Sequence, residues 1–550
     1  MSKAEKINCP LCNDAVDKLL YRYHIDSERK VIEKIKVDHP AWTEMDGVCG
    51  RCVDYYQVAI VQEQRMLPSV GPYFSIKSAD DFIILPTGLR VDAHPRFTGK
   101  GVTICFLDSG FCPHPDLVKH TNRIKEIVDV TGSNKTMAPG IADNTEWHGT
   151  MTTVVCAGDG FLSHGLYTGI ANEADLVLVK VQNAEGKITT ENIVKGLQWI
   201  LNNHQRHNIR IVNMSLSDDA VCSYKESEVS QLAEALIENG ITVVAAAGND
   251  EHGNIHPPAS SLNVIAVGGV NDENSLDVGG IKAYHSSYGI TVDAFMKPEL
   301  VAHAMWIAAP ILPGTNEQEE ANALYQVLNA GDGLLISELN KYIGKTKLDA
   351  ALMNGAGEAM IREAVIKRIQ DAKYISPHYM HVDGTSFAAP IVTAVIAQLL
   401  EANPQLTPGM IREVLFSTSK RIDTIMPERQ GFGVIQPRKA LLKVLRREII
   451  TKPHSSPYIN RDKNSIEFYI QNDNAEQISL AGLFNNWAED VLLMEPGRNG
   501  LWRIEIPILD EGRYEYKFLI NGRNWVEDID NPYRLPDGFN GFNSLLIIQN

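Results

Sequence analysis

The sequence predicts an α/β protein built on a mostly parallel sheet flanked by helices, with a small cysteine-hooked unit before it and an all-β module after it. Three observations carry that expectation. Between about residues 90 and 450, short apolar runs alternate with amphipathic stretches of helical period. The first 52 residues hold four of the eight cysteines, as two Cys-x-x-Cys pairs. From residue 465 onward, apolar and polar side chains alternate with period two between turn dipeptides.

Taken in order, residues 1–75 form the cysteine unit, with a charged helical stretch over Ser27–Val37. Residues 76–450 form the α/β domain. Its strand candidates are Gly101–Leu107, Leu176–Val181, Ile211–Ser215, Thr242–Ala246 and Val264–Val267, and its helical patterns include Thr190–Asn203 and Glu226–Asn239. A helix-favouring insertion poor in strand signals spans about 305–375. Residues 451–464, opening on TKPHSSP, read as a linker. Residues 465–550 read as a β-sandwich, from the alternation in IEFYI, WRIEIPI and YEYKFLI and the turn signals Asn521-Gly522 and Asp537-Gly538.

Composition narrows the function. A chain of 550 residues exceeds one hydrophobic core and implies roughly two to four domains. A net charge of -17 argues against nucleic acid as a partner, because a phosphate backbone needs a basic footprint. No apolar run is expected to reach the roughly 18 residues of a membrane span. The polar start MSKAEKINCPLC lacks a secretory pattern, so a cytoplasmic location is expected. In that reducing setting Cys105, Cys112, Cys156 and Cys222, scattered singly, read as free thiols.

Cys9-Pro-Leu-Cys12 and Cys49-Gly-Arg-Cys52 are two hooks 36 residues apart. Each lets two thiolates reach one metal at about 2.3 Å, and two hooks complete a tetrahedron, so Cys9, Cys12, Cys49 and Cys52 read as ligands of a structural zinc ion. The unit looks like a zinc ribbon, with an interval longer than the usual ~15–20 residues. Buried free cysteines or a redox pair are the alternatives. His24 and His39 read as surface residues.

Three segments carry chemistry. Val102–Gly110 is an apolar strand ending in Asp108 and a glycine turn. Trp147-His148-Gly149-Thr150 opens a stretch of small and apolar residues suited to a helix packed on a sheet. Asp383-Gly384-Thr385-Ser386 leads into the apolar helix Ile391–Leu400, and a serine at a helix N-terminus faces a field that favours developing negative charge. The order Asp, His, Ser fits a nucleophilic triad: Ser386 attacks a carbonyl, His148 moves the proton, and Asp108 holds the imidazole. Asn249, after the buried run Ala245–Gly248, offers a side-chain amide to an oxyanion.

These motifs, over roughly residues 95–445, resemble the subtilisin-like serine proteases. The resemblance implies a subtilisin-like fold with Asp108, His148 and Ser386 as triad and Asn249 as oxyanion donor. It also implies a peptide or protein substrate paired along Ser215, Leu216 and Ser217 of Asn213–Ser217, with Gly248 beside them. Further matches are Pro258–Ile265, Lys297–Ala302 and Gly431-Phe432-Gly433. The interval from Asn249 to Ser386 is lengthened by the insertion. The family's pro-segment and calcium loops are not recognisable. Asp116 falls at a common calcium-ligand position but reads as an exposed loop aspartate, so calcium is not expected. Asp250 reads as a solvated loop aspartate, with a place on the rim of the first side-chain pocket as the alternative.

In the C-terminal module, two tryptophans and a lysine near turns can make a sugar platform, with rings stacking on a glucose face and Lys or Asn donors meeting its hydroxyls. The segment resembles the glycogen- and starch-binding module of the AMP-activated kinase beta subunit. That resemblance implies glycogen or another α-glucan as ligand, at Trp487, Lys517, Trp525 and Asn543. The alternative is a docking sandwich for a partner protein. For the whole chain, the alternative to a serine endopeptidase is a conditionally active or inactive protease-like scaffold that binds a partner or glycogen.

Overall fold

The computed structural model describes residues 6–20, 25–60, 84–132, 145–331, 333–446, 452–497 and 500–549. His24, the 75–76 boundary and Thr451 lie outside these residues.

Seven parallel strands form the central sheet, in the order Leu300–His303, Ile265–Asn271, Thr242–Ala246, Ile209–Met214, Thr103–Asp108, Asp175–Lys180 and Ile124–Asp129; Lys282–Ala283 adds antiparallel to Ile265–Asn271. All six residues of Thr103–Asp108 are buried, as expected of a strand covered on both faces. Asp175–Lys180 lies on one side of it and Ile209–Met214 on the other, so chain direction across the sheet reverses there. Ligands of such sheets bind beyond the carboxyl ends of the strands at a reversal of this kind. Thr190–His207 crosses between those two neighbours. Its N-terminus is capped by the Thr189 hydroxyl, and it stops at Asn208 in the left-handed conformation, φ 51°.

Helix Thr385–Ala402 runs through the core. It corrects one expectation: by length and composition it is apolar enough to cross a membrane, although 83% of it is buried inside the protein. An interior helix touching a sheet and other helices all round has the same composition as a lipid-facing one.

The insertion has its own small core. Helices Asn316–Leu328, Leu335–Tyr342 and Glu358–Asp371 pack through Leu324, Val327, Leu339, Ile361 and Val365. Buried Glu320 takes two hydrogen bonds from Arg368, at 2.7 and 3.0 Å. The helices begin later than predicted, because Ile307–Pro310 is a strand paired antiparallel with the returning strand Tyr379–Val382.

Both flanking units dock on the α/β domain. Helix Gly50–Ala59 of the cysteine unit packs on helix Pro437–Arg446, where Arg438 donates to the Val58 carbonyl at 2.9 Å and the Arg446 guanidinium covers the Tyr55 ring at 4.6 Å. The C-terminal module is two antiparallel sheets, built on Tyr458–Asn460, Ser465–Gln471, Glu495–Pro496 and Leu501–Pro507, and on Ile478–Gly482, Gly512–Ile520, Asn524–Val526, Arg534–Pro536 and Phe542–Ile548. Its first strand, Tyr458–Asn460, lies inside the stretch read as a linker; it pairs with Ser465–Gln471 and so belongs to the sandwich. Arg534 pins the module in place, buried between the rings of Phe432 and Phe542 at 4.2 and 4.9 Å.

Candidate active site

The predicted triad residues come from three elements that meet at the carboxyl end of the sheet. Asp108 ends the central strand and is 1% exposed. Three groups donate to its carboxylate: the Ser109 N–H at 2.6 Å, the Thr152 hydroxyl at 3.2 Å and His148 Nδ1 at 2.7 Å. A buried carboxylate costs several kcal/mol unless its lone pairs are satisfied, and here they are.

His148 is the second residue of helix Trp147–Ala157. Gly149 sets the closeness of that helix to the strand end, since a Cβ there would lie 2.4 Å from the Gly110 carbonyl oxygen and 3.1 Å from Asp108 Cβ. The imidazole stands edge-on to the half-exposed Trp147 ring, with centroids 5.4 Å apart, and 5.9 Å from the ring of Phe387, the neighbour of Ser386. Burial disfavours the imidazolium, but the charge and hydrogen bond of Asp108 outweigh it and hold the pKa above the usual histidine value. A general base works only when neutral. The acid limb of kcat/KM is therefore expected to rise with pH through a value above ~6.5, the free-histidine value. An inflection at or below 6.5 in a peptide-hydrolysis profile contradicts this.

Ser386 sits in the first turn of its helix, entered through Gly384 at φ 141°, a conformation open to glycine alone. Its hydroxyl donates to the Ser215 carbonyl at 3.4 Å, while the Ser215 hydroxyl donates to the Ser386 carbonyl at 2.8 Å. Asn213, held by Thr393 at 2.9 Å, donates to the Ser215 hydroxyl at 3.1 Å. Nucleophile and expected substrate strand are thus tied to one buried network. Ser215 is buried, Leu216 half-buried and Ser217 exposed, just past the end of Ile209–Met214 and with no ladder partner among the described residues.

Asn249 follows strand Thr242–Ala246. Its side-chain oxygen accepts from the Thr385 N–H at 2.8 Å and the Thr385 hydroxyl at 3.0 Å, which fixes the amide with its NH2 as the remaining donor. The Thr385 hydroxyl also accepts from the Gly248 N–H at 3.3 Å. Gly248, at φ 107°, faces Ser287, whose hydroxyl would lie 2.7 Å from a Cβ. Sequence reasoning passed over Thr385, Thr152 and Ser109 as positioning residues; Thr385 adjoins the serine in the motif itself, and that was the available signal.

Two further readings meet the structure differently. Asp116 is not an exposed loop aspartate: it is fully buried in the short helix Pro115–Val118, accepts from the Leu162 N–H at 3.0 Å and is hydrogen-bonded by the Tyr379 hydroxyl. Burial pushes its carboxyl up to about 6. The error arose because a His-Pro turn usually faces water. Asp250 is exposed, and its carboxylate accepts from the His252 N–H at 3.0 Å, which is the geometry of a loop turn.

At the N-terminus, the Sγ atoms of Cys9, Cys12, Cys49 and Cys52 all lie within 4.8 Å of one another, with Cys9–Cys52 at 4.0 Å and Cys12–Cys49 at 3.9 Å. Thiolates about 2.3 Å from a tetrahedral ion stand roughly 3.8 Å apart, so this cluster fits one. His39 is not part of it. In the sandwich, Trp487, Lys517, Trp525 and Asn543 line one cavity of about 740 Å³. The two tryptophan rings stand 6.0 Å apart at 65°, and Trp525 is 39% exposed. Lys517 is ion-paired with Asp537, and Asn543 donates to Glu515 at 2.7 Å.

Residues 99–433 match the model of the subtilase family, and residues 456–534 that of carbohydrate-binding module 48, the isoamylase N-terminal domain. Serine protease AprX of Bacillus subtilis is 30% identical over 62% of this chain and 67% of its own length. Alkaline elastase YaB of a Bacillus species is 32% identical over 36% of this chain and 45% of its own. The crystal structure of fervidolysin from Fervidobacterium pennivorans aligns over 78% of this chain and 55% of that one, at 17% identity and a TM-score of 0.44. The chain thus spans about two thirds of the first of these proteins and about half of the other two.

Proposed function

The chain belongs to the subtilase family, and from that premise we propose that it hydrolyses peptide bonds through an acyl-enzyme on Ser386. The observation that carries this is the 2.7 Å bond from His148 Nδ1 to Asp108. With Nδ1 committed, the other ring nitrogen is the one left to take the Ser386 proton as the hydroxyl attacks the scissile carbonyl and to return it to the leaving amine. The oxyanion that forms is met by the Asn249 NH2 and by the Ser386 N–H, which has no hydrogen bond among the described residues while the Thr385, Phe387 and Ala388 N–H groups are taken by Asn249 and Gly384. Water then attacks the ester by the same route in reverse. The substrate backbone adds as a strand along Ser215, Leu216 and Ser217. The test is labelling with a fluorophosphonate: modification at Ser386 supports the reading, and an unlabelled native protein speaks for an inactive scaffold.

The four-cysteine cluster holds a zinc ion as a structural crosslink, and the eight unpaired cysteines suit a cytoplasmic, reducing setting. About one equivalent of zinc is expected to purify with the protein. Removing it with a strong chelator, or Cys49→Ser, is expected to unfold residues 25–60, seen as fast amide exchange there and not in the central sheet. Unchanged exchange after metal removal rules the crosslink out.

The C-terminal module binds an α-glucan such as glycogen, with glucose rings against Trp487 and Trp525 and hydroxyls at Lys517 and Asn543. In a glycogen pull-down, Trp525→Ala is expected to weaken retention at least about tenfold, as loss of a central aromatic contact does. Failure of the unaltered protein to bind favours the partner-docking alternative.

A further inference from the structure

The sugar-site cavity is not closed by the sandwich alone. Arg421, from the protease domain, forms part of its wall. Its Nε donates to the Gly431 carbonyl at 2.9 Å, one Nη2 hydrogen is taken by Glu527 of the sandwich, and the guanidinium covers the Phe542 ring at 5.1 Å. An arginine carries five N–H donors. The Nη1 pair has no hydrogen bond among the described residues and lies beside Gly541, where a Cβ would stand 3.6 Å from it and 2.7 Å from the Asp537 carboxylate. Glycine at 541 therefore leaves room for the Asp537 carboxylate beside Arg421. A second link crosses the boundary nearby, from Asn540 to Asp423 at 3.3 Å. Phe539, which also lines the cavity, is 91% exposed.

We propose that the α-glucan site is a joint site of the two domains, in which Arg421 of the protease domain donates to the sugar hydroxyls while the tryptophans of the module hold the ring faces. The proposal rests on the reading that the module binds α-glucan. Sugar recognition needs an apolar platform on one side and planar, charge-paired donors on the other. Arg421 with Glu527 supplies the second, beside the charge-paired but non-planar Lys517 ammonium with Asp537. The buried Arg534, donating to the Met296 carbonyl at 3.3 Å, fixes the module against the protease domain, so Arg421 meets the ligand without a domain rearrangement. A bound glucan consequently stabilises the segment around Arg421, which pairs through Lys420 with Val434 and, through Val434, with the edge strand Leu300–His303 of the catalytic sheet.

The experiment is titration calorimetry of the full chain with maltoheptaose, joined to amide exchange. Arg421→Ala is expected to weaken binding about tenfold, the value of a lost charge-assisted hydrogen bond, and Trp525→Ala at least as much. In the unaltered chain, maltoheptaose is expected to slow exchange in residues 420–426 as well as in 515–526. Slowing confined to the module, or wild-type affinity in Arg421→Ala, overturns the joint site and leaves the module reading standing. Absence of maltoheptaose binding by the unaltered chain overturns the module reading itself. The exchange arm needs no substitution, so a folding defect in Arg421→Ala does not shield the proposal.

Discussion

Ser386→Ala is expected to lower kcat about 10⁶-fold, with KM for a peptide substrate nearly unchanged. The substitution removes the only atom that forms the acyl bond. It leaves the oxyanion donors in place, because Asn249 is fixed through Thr385 and the helix N-terminus through Gly384. The Ser215–Ser386 link also survives, since there Ser386 contributes its backbone carbonyl. A residual rate roughly 10³–10⁴ above water is accordingly expected from the oxyanion site and binding alone. The same variant is expected to resist fluorophosphonate. Turnover within tenfold of the unaltered enzyme, after correction for contaminating protease, would remove Ser386 from the mechanism.

Asp108→Asn is expected to cost about 10⁴ in kcat while the protein stays folded. The carboxylate accepts from three donors at once. An asparagine offers one oxygen and one NH2: turned to the Thr152 side, the NH2 meets a hydroxyl that can accept, but turned to the Oδ1 side it faces a donor, the Ser109 N–H or His148 Nδ1–H. If that one is His148, the imidazole turns to the tautomer that accepts at Nδ1 and donates at the serine side, where it can no longer act as base. The charge that holds the His148 pKa up disappears as well, so the acid limb of the residual activity is expected to move to lower pH than in the parent enzyme. A parallel loss of kcat with an unmoved limb would separate the electrostatic role of Asp108 from its orienting one.

What the sequence made legible follows from how local each signal is. Strand Thr242–Ala246 and the start of helix Thr190–His207 were readable because an unbroken apolar run and a helical period are properties of neighbouring residues. The edge strand Ile124–Asp129 was missed: its residues are mostly half-exposed, so no apolar run marks it. Partnerships between distant segments were invisible in the same way. Arg90 meets Asp272 at 2.5 Å across 182 residues, and Lys517, read as a free sugar donor, already holds Asp537. The triad was readable as three motifs in order; Thr385 stood inside the serine motif, but its task of aiming Asn249 was not readable, because that partner lies 136 residues earlier in the chain. Asp116 was misread for a related reason: Tyr379, which hydrogen-bonds its carboxylate, lies 263 residues later in the chain.

The helical insertion leaves and re-enters the catalytic frame as two adjacent antiparallel strands, with Pro310 opposite Tyr379. To the rest of the molecule that arrangement is a hairpin stem, and a stem does not register what is hung on its open end. The 136 residues between Asn249 and Ser386 would therefore shrink greatly if a short turn joined Pro310 to Tyr379, yet the gap between amide and hydroxyl in space would stay the same. Chain length at this point is free to drift, because its loop-closure cost grows only as the logarithm of its size.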